Sequence, residues 1–267
     1  MIWDVLLLVG AAWAVCAVLQ IVLWAVSLRT RNAGIVDIGW AGSFTLIVGV
    51  FTLLGARLGR PSLAQAAPIA VMVVAWSLRL AGYLLARGAA HGDEEGRYQA
   101  LRRHWGARAS QKFFVFFQAQ AAVAALLSVA FVLPFVTTAG GGALRIAGGA
   151  VWLIGFVGET VADAQLAAFK RDPARRGQVC DVGLWSLSRH PNYFFEWLIW
   201  CGYALYCLPY PGGAVAVVGP ALILYTVLRV TGIPATERQA VRSKGDAYRR
   251  YQAEVSAFVP WPRRAAR

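Results

Sequence analysis

The stretch Gly183-Leu-Trp-Ser-Leu-Ser-Arg-His-Pro-Asn-Tyr-Phe-Phe-Glu196-Trp-Leu-Ile-Trp200 gathers the side chains best suited to chemistry. A polar loop with Arg189, His190 and Asn192 runs into an apolar segment that carries one carboxylate, Glu196. Pro191 suits the first turn of a helix, where its missing N–H costs nothing. Asn192, Glu196 and Trp200 then recur every four residues and share a face. An amide and a carboxylate on one face can hold amide N–H and sugar hydroxyl groups. Glu159 and Asp163 repeat the four-residue spacing upstream, with Lys170 about two turns further along. The loop cations Arg97, Lys170, Arg171 and Arg189 suit a pyrophosphate or 2′-phosphate.

The elements that must position these groups are membrane helices. The chain has 267 residues, 58% of them hydrophobic and 15% charged. A soluble domain usually carries about a quarter charged residues. Several apolar runs reach the roughly 20 residues that a bilayer core requires. The net charge of +13 is then assigned to loops that set topology, and not to nucleic acid. The four cysteines form no CxxC pair and the three histidines are scattered, so neither a disulfide framework nor a metal centre is expected. The first apolar segment lacks a basic leader and is expected to be a retained helix.

The apolar periodicity predicts an all-α membrane domain of seven spans, near 5–28, 35–56, 67–87, 113–136, 143–168, 191–208 and 213–232. The Gly-rich stretch Thr137–Gly142 reads as a turn, and the tail from Pro234 to about Ala257 as one amphipathic helix. Of the 26 lysines and arginines, 22 fall in alternate connections and the tail, three fall in the others, and Arg79 lies inside the third span. The positive-inside rule puts the N-terminus outside and the tail in the cytoplasm.

Polar residues inside the spans are the functional candidates, because charge at membrane depth is costly. Asp37, Arg79, Glu159, Asp163 and Glu196 all fall in the inner half of their spans. They imply a polar cavity open to the cytosol. Asp37 with Arg79 is a natural ion pair, whereas the other three acids point to a bound ligand. Trp200 lies on the Glu196 face.

The combination Asp37-Ile-Gly-Trp, Trp76-Ser-Leu-Arg-Leu, Gly92-Asp-Glu-Glu-Gly-Arg-Tyr98, the Gly183–Glu196 stretch, Glu237-Arg238 and Gly245-Asp-Ala-Tyr248 resembles bacterial DUF1295 proteins, which group with the steroid 5α-reductases. The resemblance covers nearly the whole chain. It implies a bacterial inner-membrane enzyme that takes NADPH from the cytosol and reduces the C=C bond of an apolar, steroid-like enone. It places Asn192 and Glu196 at the nicotinamide end, Asp163 on the adenosine side, and Lys170 where the reductases have arginine. Glu159 stands where animal reductases have asparagine. His190, Tyr193, Glu237 and Tyr248 fall within the matching motifs and join the cofactor candidates. Animal reductases polarise the ketone with a Glu–Tyr pair in the second and third helices. Here the same region offers Asp37, Trp76, Arg79 and Tyr83, so the proton-donor candidates are Tyr83, Asp37 and Tyr98. No obligate protein partner is expected. The competing readings are an S-adenosylmethionine-dependent methyltransferase of the isoprenylcysteine type and a lipid- or solute-binding protein without chemistry.

Overall fold

A computed structural model describes residues 1–59, 63–88, 94–138, 142–230 and 232–263. All regular structure there is helical, apart from one isolated bridge between Ser188 and Ser256. The chain divides into two compact units. One comprises Met1–Gly140 and Cys207–Val215, the other Gly141–Tyr206 and Ala216–Arg267.

The first unit begins with α1 (Ile2–Thr30), which stops where Arg31 turns left-handed at φ 53°. The side chain of Asn32 accepts the N–H of Gly34 at 2.9 Å and tightens the turn into α2 (Ile35–Arg57). α3 (Leu63–Ala86) runs back along α2, and Ser77 Oγ donates to the carbonyl of Ala41 at 2.6 Å. A short α4 (Gly96–Trp105) precedes α5 (Ala109–Ser128). α5 is antiparallel to α1: Gln118 reaches the carbonyl of Ala17, and Trp24 Nε1 donates to that of Ser110 at 3.1 Å. The core is aromatic, with Phe44, Phe51, Trp76 and Phe131 fully buried and meeting at tilted or edge-to-face angles.

In the second unit α6 (Gly142–Arg171) packs against α7 (Pro191–Cys207) through glycines. A Cβ on Gly202 would lie 2.6 Å from the backbone of Trp152, so only glycine permits this approach. Such small-residue contacts let membrane helices draw close. α8 (Val218–Tyr225) runs into a π-helical turn, Thr226–Val230, followed by α9 (Ile233–Lys244) and α10 (Asp246–Glu254).

Five stretches among the described residues are long and apolar enough to cross a bilayer: α1, α2, Gln65–Ala86, α6 and the run Gly213–Lys244. The expected fourth and sixth spans correspond to α5 and α7, which fall short for different reasons. α5 is diluted by Gln111, Lys112, Gln118 and Gln120. α7 has 17 residues, about 25 Å at 1.5 Å per residue, against a core of roughly 30 Å. The fourth span was also drawn too long, because the helix ends at Ser128 and the apolar run continues through a tight turn at Leu133–Phe135. Pro134 in that turn has no N–H to continue a helical ladder. The expected single tail helix is two helices, broken at Gly245 with φ 56° and ended by extended Val255. The Gly92-Asp93 part of the acidic motif lies outside the described residues, as do residues 139–141 of the Gly-rich turn before α6.

Candidate functional site

In the second unit, the loop that opens at Gly183 is pinned to α6. Gly183 has φ 58°, and a Cβ there would strike the amide of Gln165. That amide oxygen accepts the N–H of Leu184 at 2.9 Å, and Trp185 Nε1 donates to the carbonyl of Ala162 at 2.9 Å. Both anchors flank Asp163. The loop therefore delivers the start of α7 to the acidic face of α6, where Asn192 Nδ2 donates to Asp163 Oδ1 at 3.3 Å. Glu159, one turn earlier, is 3% exposed and Asp163 is 4% exposed. The oxygen of Asn192 is buried and accepts no hydrogen bond. Glu196 follows on the same face of α7 and is half-buried. Trp200, beyond it, is fully buried and packs edge-on against Tyr203 at 5.5 Å.

The C-terminal residues lock the same loop from its other side. Arg189 N–H donates to the carbonyl of Ser256 at 2.8 Å, and Ser188 Oγ donates to that of Phe258 at 2.8 Å. Tyr251 donates from its hydroxyl to the carbonyl of Trp185. The guanidinium of Arg189 is spent inside this lock. It bonds Glu237 at 2.6 Å and the carbonyls of Gln252 and Val255 at 2.9 and 2.5 Å. Glu237 also takes Gln252 Nε2 at 2.8 Å and lies 3.4 Å from His190 Nε2. His190 stacks on Tyr193 at 5.3 Å. Tyr248, packed on Tyr251, has its hydroxyl pushed up to about 12, chiefly by burial, with the nearby Glu237 adding to the effect. Arg189, expected to face a phosphate, braces the loop through Nε and Nη1, which are committed to protein oxygens. Lys170 is exposed at the end of α6. A depression of about 480 Å³ beside Glu237 is lined by Pro234, Arg238, Val241, Arg242 and Gln252. Arg238 and Arg242, one turn apart on α9 and exposed, were not among the expected site residues. Their i, i+4 spacing was the signal available for finding them.

The first unit holds the other charged cluster. Asp37, in the first turn of α2, is bonded by the guanidinium of Arg97 and by the hydroxyl of Tyr98, the latter at 2.8 Å. The ring of Tyr98 is 1% exposed and sits among Ala33, Val36, Phe113 and Phe117. Burial holds its hydroxyl well above the usual tyrosine range, and the adjacent Asp37 carboxylate pushes the same way. Glu94 takes a two-pronged bond from Arg102 at 2.7 and 3.0 Å and accepts the N–H of Ala33 at 2.9 Å. Burial opposes ionisation of Glu94. The Arg102 and Ala33 bonds outweigh it and hold the carboxyl below the usual range. The cation closing on Asp37 is thus Arg97, from the segment after α3, where the sequence had suggested Arg79. Of the proton-donor candidates, Asp37 and Tyr98 meet. Tyr83 lies half-buried on α3 with the guanidinium of Arg87 5.9 Å from its ring centre.

A family model described as a protein of unknown function (DUF1295) matches residues 23–255. The chain belongs to the DUF1295 family. Neither the curated proteins nor the solved structures contain a match. The DUF1295 match takes in both charged clusters, from Asp37 and Tyr98 to Asn192 and Glu237, together with α10. Its membrane character is consistent with the apolar helices of both units.

Proposed function

We propose that this DUF1295 protein is a membrane-embedded, NADPH-dependent reductase of a C=C bond conjugated to a ketone, acting on an apolar, steroid-like lipid. The observation that carries the reading is Asn192. Its amide N–H2 is turned toward Asp163, and its buried oxygen accepts nothing. A buried acceptor of this kind costs stability unless a ligand donor completes it, and a nicotinamide carboxamide offers such a donor. Asn192 and Glu196 would hold that carboxamide. Glu159 and Asp163 would take ribose hydroxyls as acceptors. Lys170, with Arg238 and Arg242 at the neighbouring depression, would meet the phosphates. When bound, the cofactor supplies hydride to the β-carbon of the enone, and a proton reaches the α-carbon. The buried setting of Glu159 and Asp163 excludes water, which strengthens each polar contact.

In this reading α5 and α7 also cross the bilayer, giving seven spans with the N-terminus outside. The cofactor-binding unit then faces the cytoplasm of a bacterial inner membrane. The reading rests on the surplus of cations at alternate connections.

The test is thermal unfolding of purified protein with NADPH, NADH or S-adenosylmethionine, followed by turnover of a 3-keto-4-ene steroid. NADPH should stabilise the wild type, and Asn192→Leu should weaken that effect at least about tenfold in apparent affinity. Stabilisation by S-adenosylmethionine alone would point to a methyltransferase. No response to any of the three would favour a binding protein without chemistry.

A further inference from the structure

We infer that the end of the first unit where α1 stops and α5 starts is a binding surface for anionic phospholipid headgroups. Its cations are Arg29, Arg31, Arg103, Arg108 and Lys112, all exposed. The antiparallel packing brings them to one end: Trp24 meets Ser110 and Phe114, so the last turns of α1 lie beside the first turn of α5. α4 is tied to that end by the Asp37 and Glu94 bonds.

Charge accounting separates these five cations from their neighbours. The described carboxylates at this end are Asp37, Glu94 and Glu95. They are taken by Arg97, by Arg102, and by Arg87 with Arg97, respectively. No acid among the described residues pairs with the remaining five cations. Helix dipoles account for Arg29 and Arg103, each in a last turn, but not for the whole surplus. Lys112 sits in the first turn of α5, where a cation is disfavoured.

The partner chemistry follows from position. α1 is long and apolar enough to cross a bilayer, and Arg29 lies in its last turn. The patch is therefore level with a membrane boundary, where phosphodiester headgroups are concentrated. A juxtamembrane basic residue strengthens contact with an anionic surface by roughly fivefold. Three of them removed together should thus weaken it by about two orders of magnitude.

The test uses full-length protein in detergent, titrated with phosphatidylglycerol or phosphatidylcholine while thermal unfolding and lipid retention are followed. Phosphatidylglycerol should bind and stabilise, phosphatidylcholine should not, and salt at about 0.5 M should erase the difference. The variant Arg103→Gln/Arg108→Gln/Lys112→Gln should lose the effect, whereas Arg249→Gln/Arg250→Gln on α10 should keep it. If the triple variant does not fold, Arg103→Gln and Arg108→Gln singly should each lower the apparent affinity roughly fivefold. Equal response to the two lipids, or wild-type affinity in the variants, overturns the inference. Displacement of phosphatidylglycerol by millimolar inorganic phosphate also overturns it, by assigning the surface to a soluble anion. NADPH binding is a separate readout, so failure here leaves the reductase reading standing.

Discussion

The two charged clusters both centre on carboxylates and are completed differently. In the first unit Asp37 and Glu94 are each closed by charge-assisted bonds from the segment after α3. Asp37 on α2 is bonded from α4, and Glu94 ties Ala33 of the α1–α2 turn to Arg102 of α4, so the cluster works as a clasp between that turn and α4. In the second unit Asn192 donates to Asp163 at 3.3 Å, and its own buried amide oxygen accepts nothing. A closed network holds elements in place, whereas an incomplete buried one is costly unless something completes it. The contrast teaches that a carboxylate in a membrane helix is not by itself a binding site. The state of its partners decides.

Arg189 supplies the strongest test, since it lies next to the open pair yet belongs to a closed network. Its side chain is 10% exposed and that of its partner Glu237 15% exposed. Arg189→Ala should cost about 3–5 kcal/mol, the penalty for stripping one partner from a buried ion pair. Thermal unfolding of the purified variant measures this. Arg189→Lys should recover only part of it, because one ammonium cannot reproduce a forked guanidinium reaching three acceptors. Unchanged stability with weakened NADPH binding would break the distinction and return Arg189 to the phosphate role expected from its loop position.

That reversal shows where the sequence was readable. The helical class and the spans of α1, α2, α3 and α6 follow from local hydrophobicity, and the structure places them within a few residues of expectation. The meeting of Asp163 and Asn192 was legible because each sits in a helical segment whose period sets its face. The commitment of Arg189 was not legible. Its acceptors Gln252 and Val255 lie more than sixty residues away, and a parallel contact between Ser188 and Ser256 creates the geometry. The break at Gly245 was hidden for a local reason: the amphipathic spacing continues through it, and only the positive φ divides the helix. The partner of Asp37 was misjudged because α3 offered Arg79 nearby, while Arg97 lies 60 residues from Asp37 beyond a charged loop whose path local sequence does not set.

Tyr98 sharpens the comparison from the other side. If the first-unit cluster is a clasp, Tyr98→Phe should lower stability by about 2 kcal/mol, the worth of a hydrogen bond to a carboxylate. Turnover per folded molecule should stay within about tenfold, since a lost general acid costs about a hundredfold or more. Unfolding and steady-state rates on one preparation separate the two. A hundredfold loss of rate with stability intact would make the Asp37–Tyr98 pair chemical and dissolve the contrast with Asn192.

Acid offers the mildest probe of the first-unit clasp, where Glu94 should respond. Arg102 and the Ala33 N–H keep its carboxyl below the usual range despite burial. A depressed folded pKa contributes stability above the unfolded value, near 4.3, and loses it as pH falls through the lower folded value. Wild-type stability should therefore decline below about pH 4, with Glu94 contributing about 1 kcal/mol of the loss. Glu94→Gln should be less stable by that amount at neutral pH and should converge on the wild type in acid, which unfolding midpoints at neutral pH and about pH 3 will measure. Parallel curves for the two proteins would mean that the clasp does not depend on the charge of Glu94. The α4 segment would then be held by the Asp37 bonds and the packing of Tyr98 and Phe113.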